Sequence, residues 1–122
     1  MVSILYIMKV KLLKSPKKDK KFRVLFEDGK TVDFGQKGFS DYTIHKNPLR
    51  MRAYVRRHGG KSIPSNDTDV HVRMLNVTRS NKENWSAKGI HTAGFWSRWI
   101  LWSQPTLEGA KKQIKKNFRV TF

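Results

Sequence analysis

Residues 91–102 read HTAGFWSRWILW and contain three of the four tryptophans of this 122-residue chain. At 3.6 residues per turn, Phe95, Trp99 and Trp102 share one face of a helix, and Trp96 widens that face on one side. A helix with so broad an apolar surface is typical of a protein core. We therefore expect Trp99 and Trp102 to be core residues and Trp96 to be partly buried.

A last helix follows this tryptophan helix. Thr92 and Thr106 are suitable N-cap residues, and Pro105 ends the first of the two helices. The second helix has an apolar stripe of four residues, Leu107, Ala110, Ile114 and Phe118. Most of its charged residues are lysines, and they lie toward its C-terminal end, where they complement the helix dipole.

Another helix is predicted over residues 48–58. Asn47 is a good N-cap, Pro48 suits the first helical position, and Gly59 stops the helix. One face of this helix is apolar, with Met51, Tyr54 and Val55. The other side carries four arginines, Arg50, Arg52, Arg56 and Arg57. Burial of the apolar face is expected to present these arginines to solvent.

The two runs 22–26 and 30–34 flank Glu27-Asp28-Gly29 and predict a β-hairpin. A two-residue loop would place Val24 opposite Asp33. A three-residue loop closed by Gly29 in a left-handed conformation gives another register, with Val24 opposite Val32, Phe22 opposite Phe34 and Arg23 opposite Asp33. The apolar matching favours this second register. The cross-strand ion pair is expected to be exposed and to contribute little stability.

Further strands complete the predicted fold. Residues 4–13 indicate a first strand, residues 70–75 alternate as a short strand would, and residues 118–122 predict a short C-terminal strand. From Gly59 to Asn84 the composition turns to Gly, Ser, Asn, Asp and Lys, interrupted only by residues 70–75, which predicts a mobile insert at about residues 60–82. We expect a single α+β domain over residues 1–122, in which a small antiparallel sheet packs with two or three helices.

The charge of the chain is strongly unbalanced. Lysine and arginine number 26 against 9 acidic residues, so the formal net charge is +17. Such a chain repels itself, which indicates an acidic partner. Its 38% hydrophobic content is nevertheless high enough for a folded domain. The absence of cysteine rules out disulfides and thiolate zinc sites and is consistent with a protein that is not secreted.

The cations are clustered rather than spread evenly along the chain. We predict a nucleic-acid-binding surface formed by the four arginines of the 48–58 helix together with lysines of one loop and of the last helix: Arg50, Arg52, Arg56, Arg57, Lys17, Lys18, Lys20, Lys111, Lys112, Lys115 and Lys116. Clusters on adjacent elements attract a phosphate backbone. Base-specific recognition is less supported, because no helix-turn-helix, zinc finger or RNA-recognition signature is present.

Residues with catalytic or metal-binding chemistry form no convincing pattern. The four histidines are scattered without metal-ligand spacing, and the carboxylates lie mostly in turns or beside lysines. We therefore expect no catalytic residues, no metal and no cofactor. His45 and His58 are expected to form hydrogen bonds around the 48–58 helix. No segment is long and apolar enough to predict a membrane span.

Several motifs together resemble a known group of proteins. They are FGQKGFSDYT at residues 34–43, His45-Lys46, Tyr54, Arg57-His58, TAGFWSRWILW at residues 92–102, and Pro105-Thr106-Leu107. This combination resembles the small, uncharacterised basic proteins of nucleocytoplasmic large DNA viruses of the mimivirus and chlorovirus kind. The resemblance covers most of residues 10–118, and residues 60–82 depart from it. It implies a viral protein of the virion or the cytoplasmic virus factory, and it implies no catalytic residues.

Two functions are compatible with these observations. The first is a non-enzymatic protein that binds nucleic acid, DNA or RNA, mainly through its phosphates in the virion or virus factory. The second is a minor capsid or assembly protein whose basic surface meets acidic virion proteins and whose 60–82 insert docks on a neighbour. The sequence alone does not separate the two.

Overall fold

The computed structural model describes residues 7–61, 63–64 and 69–122. Four strands form one mixed sheet in the order β3-β2-β1-β4: β1 (Met8–Lys14), β2 (Lys20–Phe26), β3 (Thr31–Gln36) and β4 (Val120–Thr121). The predicted first strand is therefore present from residue 8, while residues 4–6 lie outside the described residues. The α+β fold class is confirmed.

The β2–β3 hairpin has the predicted register. Val24 lies opposite Val32, and the next two pairs away from the turn are Arg23 with Asp33 and Phe22 with Phe34. Phe26 and Lys30 close a three-residue loop, because the Phe26 amide donates to the Lys30 carbonyl at 2.9 Å. Gly29 has φ +86°, which supplies the left-handed position that this turn requires. Matching of apolar cross-strand neighbours was thus a sufficient guide to the register.

The C-terminal strand joins the sheet differently from the prediction. β4 pairs with β1 in parallel, with Met8 beside Val120, whereas an all-antiparallel sheet was expected. The chain reaches this position after α5 (Leu107–Phe118), which returns it along the sheet to the open edge of β1. Parallel neighbours cannot be joined by a tight hairpin, and here β2, β3 and the helices lie between β1 and β4 in the chain.

Three α-helices precede the tryptophan segment in the described part of the chain. α1 (Tyr42–His45) leads into α2 (Pro48–Arg57), whose N-cap Asn47 accepts hydrogen bonds from the amides of Leu49 and Arg50. Met51, Tyr54 and Val55 are buried, as predicted. α3 (Val70–Leu75) occupies the segment for which we expected a strand, and that prediction was wrong. Its residues Val70 and Met74 are both buried. They are four positions apart, which places them on one side of a helix, so this segment buries its apolar residues as a helix and not as a strand.

The mobility predicted for residues 60–82 stays a prediction. Residues 62 and 65–68 lie outside the described residues. In the described part, α3 packs against α2, and Gly60 pairs with Ser80 in an isolated β-bridge. Both contacts tie parts of this insert to the domain.

The tryptophan helix contains an irregular turn that changes which side chains are buried. α4 (Ala93–Trp96) is capped by Thr92, and Ser97–Leu101 continues it as a π-helix. In a π-turn the hydrogen bonds run from i to i+5, so each residue turns the helix by less than in an α-helix. Trp96, which lies before the π-turn, is fully buried, and Trp102, which follows it, is only half-buried. The prediction was wrong for these two tryptophans and correct for Trp99, which is fully buried.

This helix lies at the centre of the domain. Trp96 contacts Phe26 and Phe34 on the sheet, with ring centroids 6.2 and 6.5 Å apart. On the other side, Phe118 of α5 packs against Phe95 at 5.0 Å and against Trp99 at 5.5 Å. The tryptophan helix therefore forms the layer between the sheet and α5.

One charged residue of this helix is completely buried. Arg98 is 0% exposed, and its guanidinium lies 4.6 Å from the Trp99 ring centroid and 5.4 Å from that of Trp85. It donates hydrogen bonds to the carbonyls of Met74 at 2.7 Å, Val77 at 3.1 Å and Trp102. Burial lowers the pKa of Arg98 to about 10, so the group stays charged at neutral pH. No sequence feature pointed to this role.

The Arg23–Asp33 pair differs from the exposed pair that we expected. The Asp33 side chain is 7% exposed and accepts hydrogen bonds from Arg23 Nε at 2.9 Å, Arg23 Nη2 at 3.0 Å and Ser15 Oγ at 2.6 Å. Lys17 Nζ lies 3.7 Å away. The β1–β2 loop folds over the carboxylate and shields it. The hydrogen bonds from Arg23, followed by the Ser15 bond and the nearby cations, lower the pKa of Asp33 to about 2.

Replacement of the tryptophans should reveal the effect of the π-turn. Trp96→Ala should destabilise the protein by about 3–5 kcal/mol, because it opens a cavity in the centre of the core. Trp102→Ala should cost clearly less, since this residue is only partly buried. Urea unfolding followed by circular dichroism measures both, and Trp96→Phe serves if Trp96→Ala does not fold. Equal losses at the two positions would contradict the observed burial.

Asp33 should contribute to stability in a pH-dependent manner. Its folded-state pKa of about 2 lies below the unfolded value of about 3.9, so its contribution is complete above about pH 4 and is lost as the pH falls toward about 2. Asp33→Asn should therefore lower the free energy of unfolding at pH 7. The variant should also lose less of that free energy than wild type as the pH falls. Asp28→Asn is the matched control, because that carboxylate is 56% exposed. Parallel acid curves for Asp33→Asn and wild type would refute this role.

Candidate functional site

A basic cleft, which we call the α2 cleft, lies between the end of the β2–β3 hairpin, α2 and the start of the tryptophan helix. Its volume is about 450 Å³. The cleft is lined by His58 and by four cationic side chains: Lys20, Lys21, Arg50 and Arg57. Its walls also contain two carboxylates, those of Asp41 and Glu83. Aromatic side chains complete the lining. This composition makes the α2 cleft a candidate site for an anionic ligand.

The first carboxylate, that of Asp41, binds partners within the wall of the cleft. Asp41 is 2% exposed and accepts a hydrogen bond from Lys21 Nζ at 2.6 Å. It also caps α1 by accepting from the Thr43 amide at 2.9 Å. Lys21 is therefore a structural cation, although it lines the cleft. The Asp41–Lys21 pair joins the loop after β3 to the start of β2.

The second carboxylate, that of Glu83, also forms hydrogen bonds within the wall of the cleft. Glu83 Oε1 accepts from Trp85 Nε1 at 2.8 Å, and Oε2 accepts from His58 Nδ1 at 3.0 Å. The carboxylate sits against Gly94 at the start of α4, where an added Cβ would lie 2.9 Å from Glu83 Cδ. Glycine at this position thus lets the carboxylate approach the positive end of the helix. Glu83 connects the segment before the tryptophan helix to the end of α2.

The remaining cations of the cleft keep their charge unneutralised. Within the ranges that the structure describes, Lys20, Arg50 and Arg57 form no ion pair. Arg50 and Arg57 are exposed and come from opposite ends of α2, while Lys20 starts β2. Two separate elements therefore direct three unpaired cations to one concave surface. Such a focused positive field favours a ligand with phosphate groups.

Stacked rings form the floor beside these cations. Tyr54 stacks on Trp102 with centroids 4.3 Å apart and an angle of 4° between the ring planes. His58 stacks on the other side of Tyr54 at 4.0 Å. Burial raises the pKa of the Tyr54 hydroxyl well above its ordinary value, so the phenol stays neutral. Burial, followed by the charge of Arg50, lowers the pKa of His45, whose ring lies 5.3 Å from Trp102.

The structure separates the arginines that the sequence grouped together. Arg50 and Arg57 line the α2 cleft, while Arg56 is exposed but is not among the described residues that line it. Arg52 was predicted to bind nucleic acid, and it is not among the described residues that line the cleft. It is only partly exposed, and its Nη1 donates to the Ile63 carbonyl at 3.0 Å. Arg52 therefore holds the segment after α2 in place.

The predicted lysines lie in three places. Lys20 belongs to the α2 cleft, Lys18 is exposed in the loop before β2, and Lys17 is drawn toward Asp33. The lysines of α5 are separate from the cleft. Lys112 and Lys116 line a shallow groove between α5 and the end of α3, Lys115 is exposed, and Lys111 lies 3.6 Å from Glu108. The predicted surface is thus divided into a compact site and a second basic face.

Several residues of the α2 cleft were not predicted from the sequence. His58 was expected to form a hydrogen bond near α2, and its bond to Glu83 confirms this, but its place in a site was not foreseen. Phe39 and Glu83 had no assigned role. The available signal was the rarity of acids: Glu83 is the only acidic residue between Asp69 and Glu108. An isolated acid in a basic region is a reasonable candidate for an internal partner.

The comparisons with known proteins leave the function open. A family model described as "Family of unknown function (DUF5754)" matches residues 10–58. No curated protein and no solved structure matches the chain. The match spans β1 to the end of α2, so it includes every lysine and arginine of the α2 cleft but not the tryptophan helix. Over these residues the chain is similar to that family.

Two further properties concern membranes and metals. In the part of the chain that the structure describes, no helix combines the length and the apolar character needed to cross a bilayer. The same residues contain no group of three or more histidine, aspartate or glutamate side chains arranged to hold a metal ion.

Proposed function

We propose that this protein is a non-enzymatic nucleic-acid-binding module that recognises phosphate groups through the α2 cleft. The observation that carries this proposal is the pairing pattern of the cleft. Asp41 and Glu83 are engaged with partners inside the walls, and Lys20, Arg50 and Arg57 are left without counter-ions among the described residues. The net charge of +17 adds a long-range field that favours encounter with a polyanion.

The chemistry of the cations supports phosphate as the ligand group. Arginine presents a planar fork of donors that matches phosphate in a bidentate geometry, and lysine adds a point charge. Contacts of this kind position a nucleic acid and carry little sequence information. The lysines of α5, including Lys112 and Lys116, form a second face that can add non-specific affinity. The protein is expected to bind many sequences with similar affinity and with strong salt dependence.

The cellular setting of this proposal comes from the sequence resemblance to proteins of large DNA viruses. It makes the virion or the virus factory the expected location. The alternative function, a minor capsid or assembly protein, uses the same basic surface against acidic proteins. The two functions differ in one respect that can be measured with purified material, which is the affinity for nucleic acid and its dependence on salt.

Arg50→Gln combined with Arg57→Gln should weaken binding of a mixed-sequence oligonucleotide by roughly tenfold or more at low salt. Each lost phosphate contact should also reduce the slope of log K against log salt by about 0.9, so the double variant should lose up to about 2. Fluorescence anisotropy at several salt concentrations measures both quantities. Circular dichroism establishes that the variant is folded.

The matched control is Arg79→Gln combined with Lys88→Gln. It removes the same charge from two exposed residues that are not among the described residues lining the cleft. This control should lose much less affinity than the cleft variant. Equal losses in the two variants would show that a diffuse field rather than the cleft binds the ligand. Unchanged binding in both, or no binding by wild type, would overturn the proposal and favour the capsid role.

A further inference from the structure

An exposed phenylalanine stands at the rim of the α2 cleft. Phe39 is 63% exposed, which is the highest value among the exposed large hydrophobic residues of the described chain, and it lines the cleft together with Arg50 and Arg57. Single exposed hydrophobic residues are common on protein surfaces, but this ring lies beside three unpaired cations in one cleft. Aromatic rings next to a basic groove are the usual elements of single-strand binding.

The loop that carries Phe39 is held at both ends. The Lys37 amide donates to the Asp19 carbonyl at 2.9 Å, and the Phe39 amide donates to the Gln36 carbonyl at 3.4 Å. After Phe39, the buried Asp41 is fixed by Lys21 and by the Thr43 amide. The ring is therefore presented to solvent by an anchored turn. A pre-positioned ring costs less conformational entropy when a ligand stacks on it.

We propose that the α2 cleft prefers single-stranded over duplex nucleic acid, with phosphates of the strand held by Arg50, Arg57 and Lys20 and an unstacked base on the Phe39 ring. This inference rests on the proposed function and specifies its ligand. In a duplex the base faces are covered by neighbouring bases, so Phe39 has nothing on which to stack. In a single strand a base can turn out toward an aromatic side chain. The concave shape of the cleft also suits one flexible strand.

The volume of the cleft agrees with this ligand. About 450 Å³ lies within the range of roughly 300–1,000 Å³ that is usual for sites that enclose a small molecule. Such a space accommodates one nucleotide unit rather than a length of double helix. The neighbouring nucleotides of the strand then remain on the surface, where the field of the surrounding lysines acts on their phosphates.

The test compares three ligands of equal length: oligothymidylate, an abasic strand and a duplex. Wild type should bind oligothymidylate more tightly than either of the others. Phe39→Ala should weaken binding of oligothymidylate by roughly fivefold or more, because one stacked base is lost. The same variant should bind the abasic strand as wild type does, since that strand has phosphates but no bases. Phe39→Tyr should retain the affinity for oligothymidylate.

Ile44→Ala is the matched control, because Ile44 is a 61% exposed hydrophobic residue that is not among the described residues lining the cleft. It should leave all three affinities unchanged. Equal binding of the three ligands by wild type, with a steep salt dependence, would overturn the single-strand preference and leave the proposed function intact. An equal loss on oligothymidylate and on the abasic strand in Phe39→Ala would overturn base stacking. Absence of salt-dependent binding to any ligand would overturn both proposals.

Discussion

The buried guanidinium of Arg98 is the constraint on which the arrangement of the domain depends. A charged group that leaves water must recover its hydration energy from partners inside the protein. Arg98 recovers part of it without a carboxylate among the described residues, by donating to the carbonyls of Met74, Val77 and Trp102 and by lying against two tryptophan rings, while its Nε has no partner among these residues. Carbonyls at the ends of helices carry partial negative charge, which suits them to this cation. One side chain thus joins the end of α3 to the tryptophan helix.

The same contact influences the α2 cleft. Trp102 follows the π-turn, accepts the Arg98 hydrogen bond through its carbonyl, and stacks its ring on Tyr54 of α2. Tyr54 lies between Arg50 and Arg57 on that helix, so the position of α2 relative to the tryptophan helix also determines where these two arginines lie. The geometry of the candidate site therefore depends on packing in the core. Two of the few acidic residues, Asp41 and Glu83, also stabilise the walls of the cleft. Because they bind partners there, other cations of the cleft remain unpaired.

The features that could be predicted from the sequence are those governed by local rules. Gly29 and the alternation of apolar residues determined the hairpin register, and Asn47, Thr92 and Thr106 cap helices as expected. The remaining features depend on contacts between distant segments. The π-turn shifts Trp102 out of the core, α3 forms where a strand was expected, and Asp33 is covered by a loop that contributes Ser15. Clusters of charge identified α2, but only the folded chain distinguishes Arg50 and Arg57 from Arg52.

The most direct test of this account is the unfolding free energy of Arg98→Met, measured by urea denaturation against wild type, with Arg56→Met as the exposed reference. Methionine fills much of the same space but leaves the three carbonyls without their donor. A buried acceptor without a partner costs about 1–3 kcal/mol, so we expect a total loss of about 3 kcal/mol or more, while Arg56→Met stays within about 0.5 kcal/mol of wild type. If Arg98→Met is as stable as wild type, the buried guanidinium does not hold these elements together.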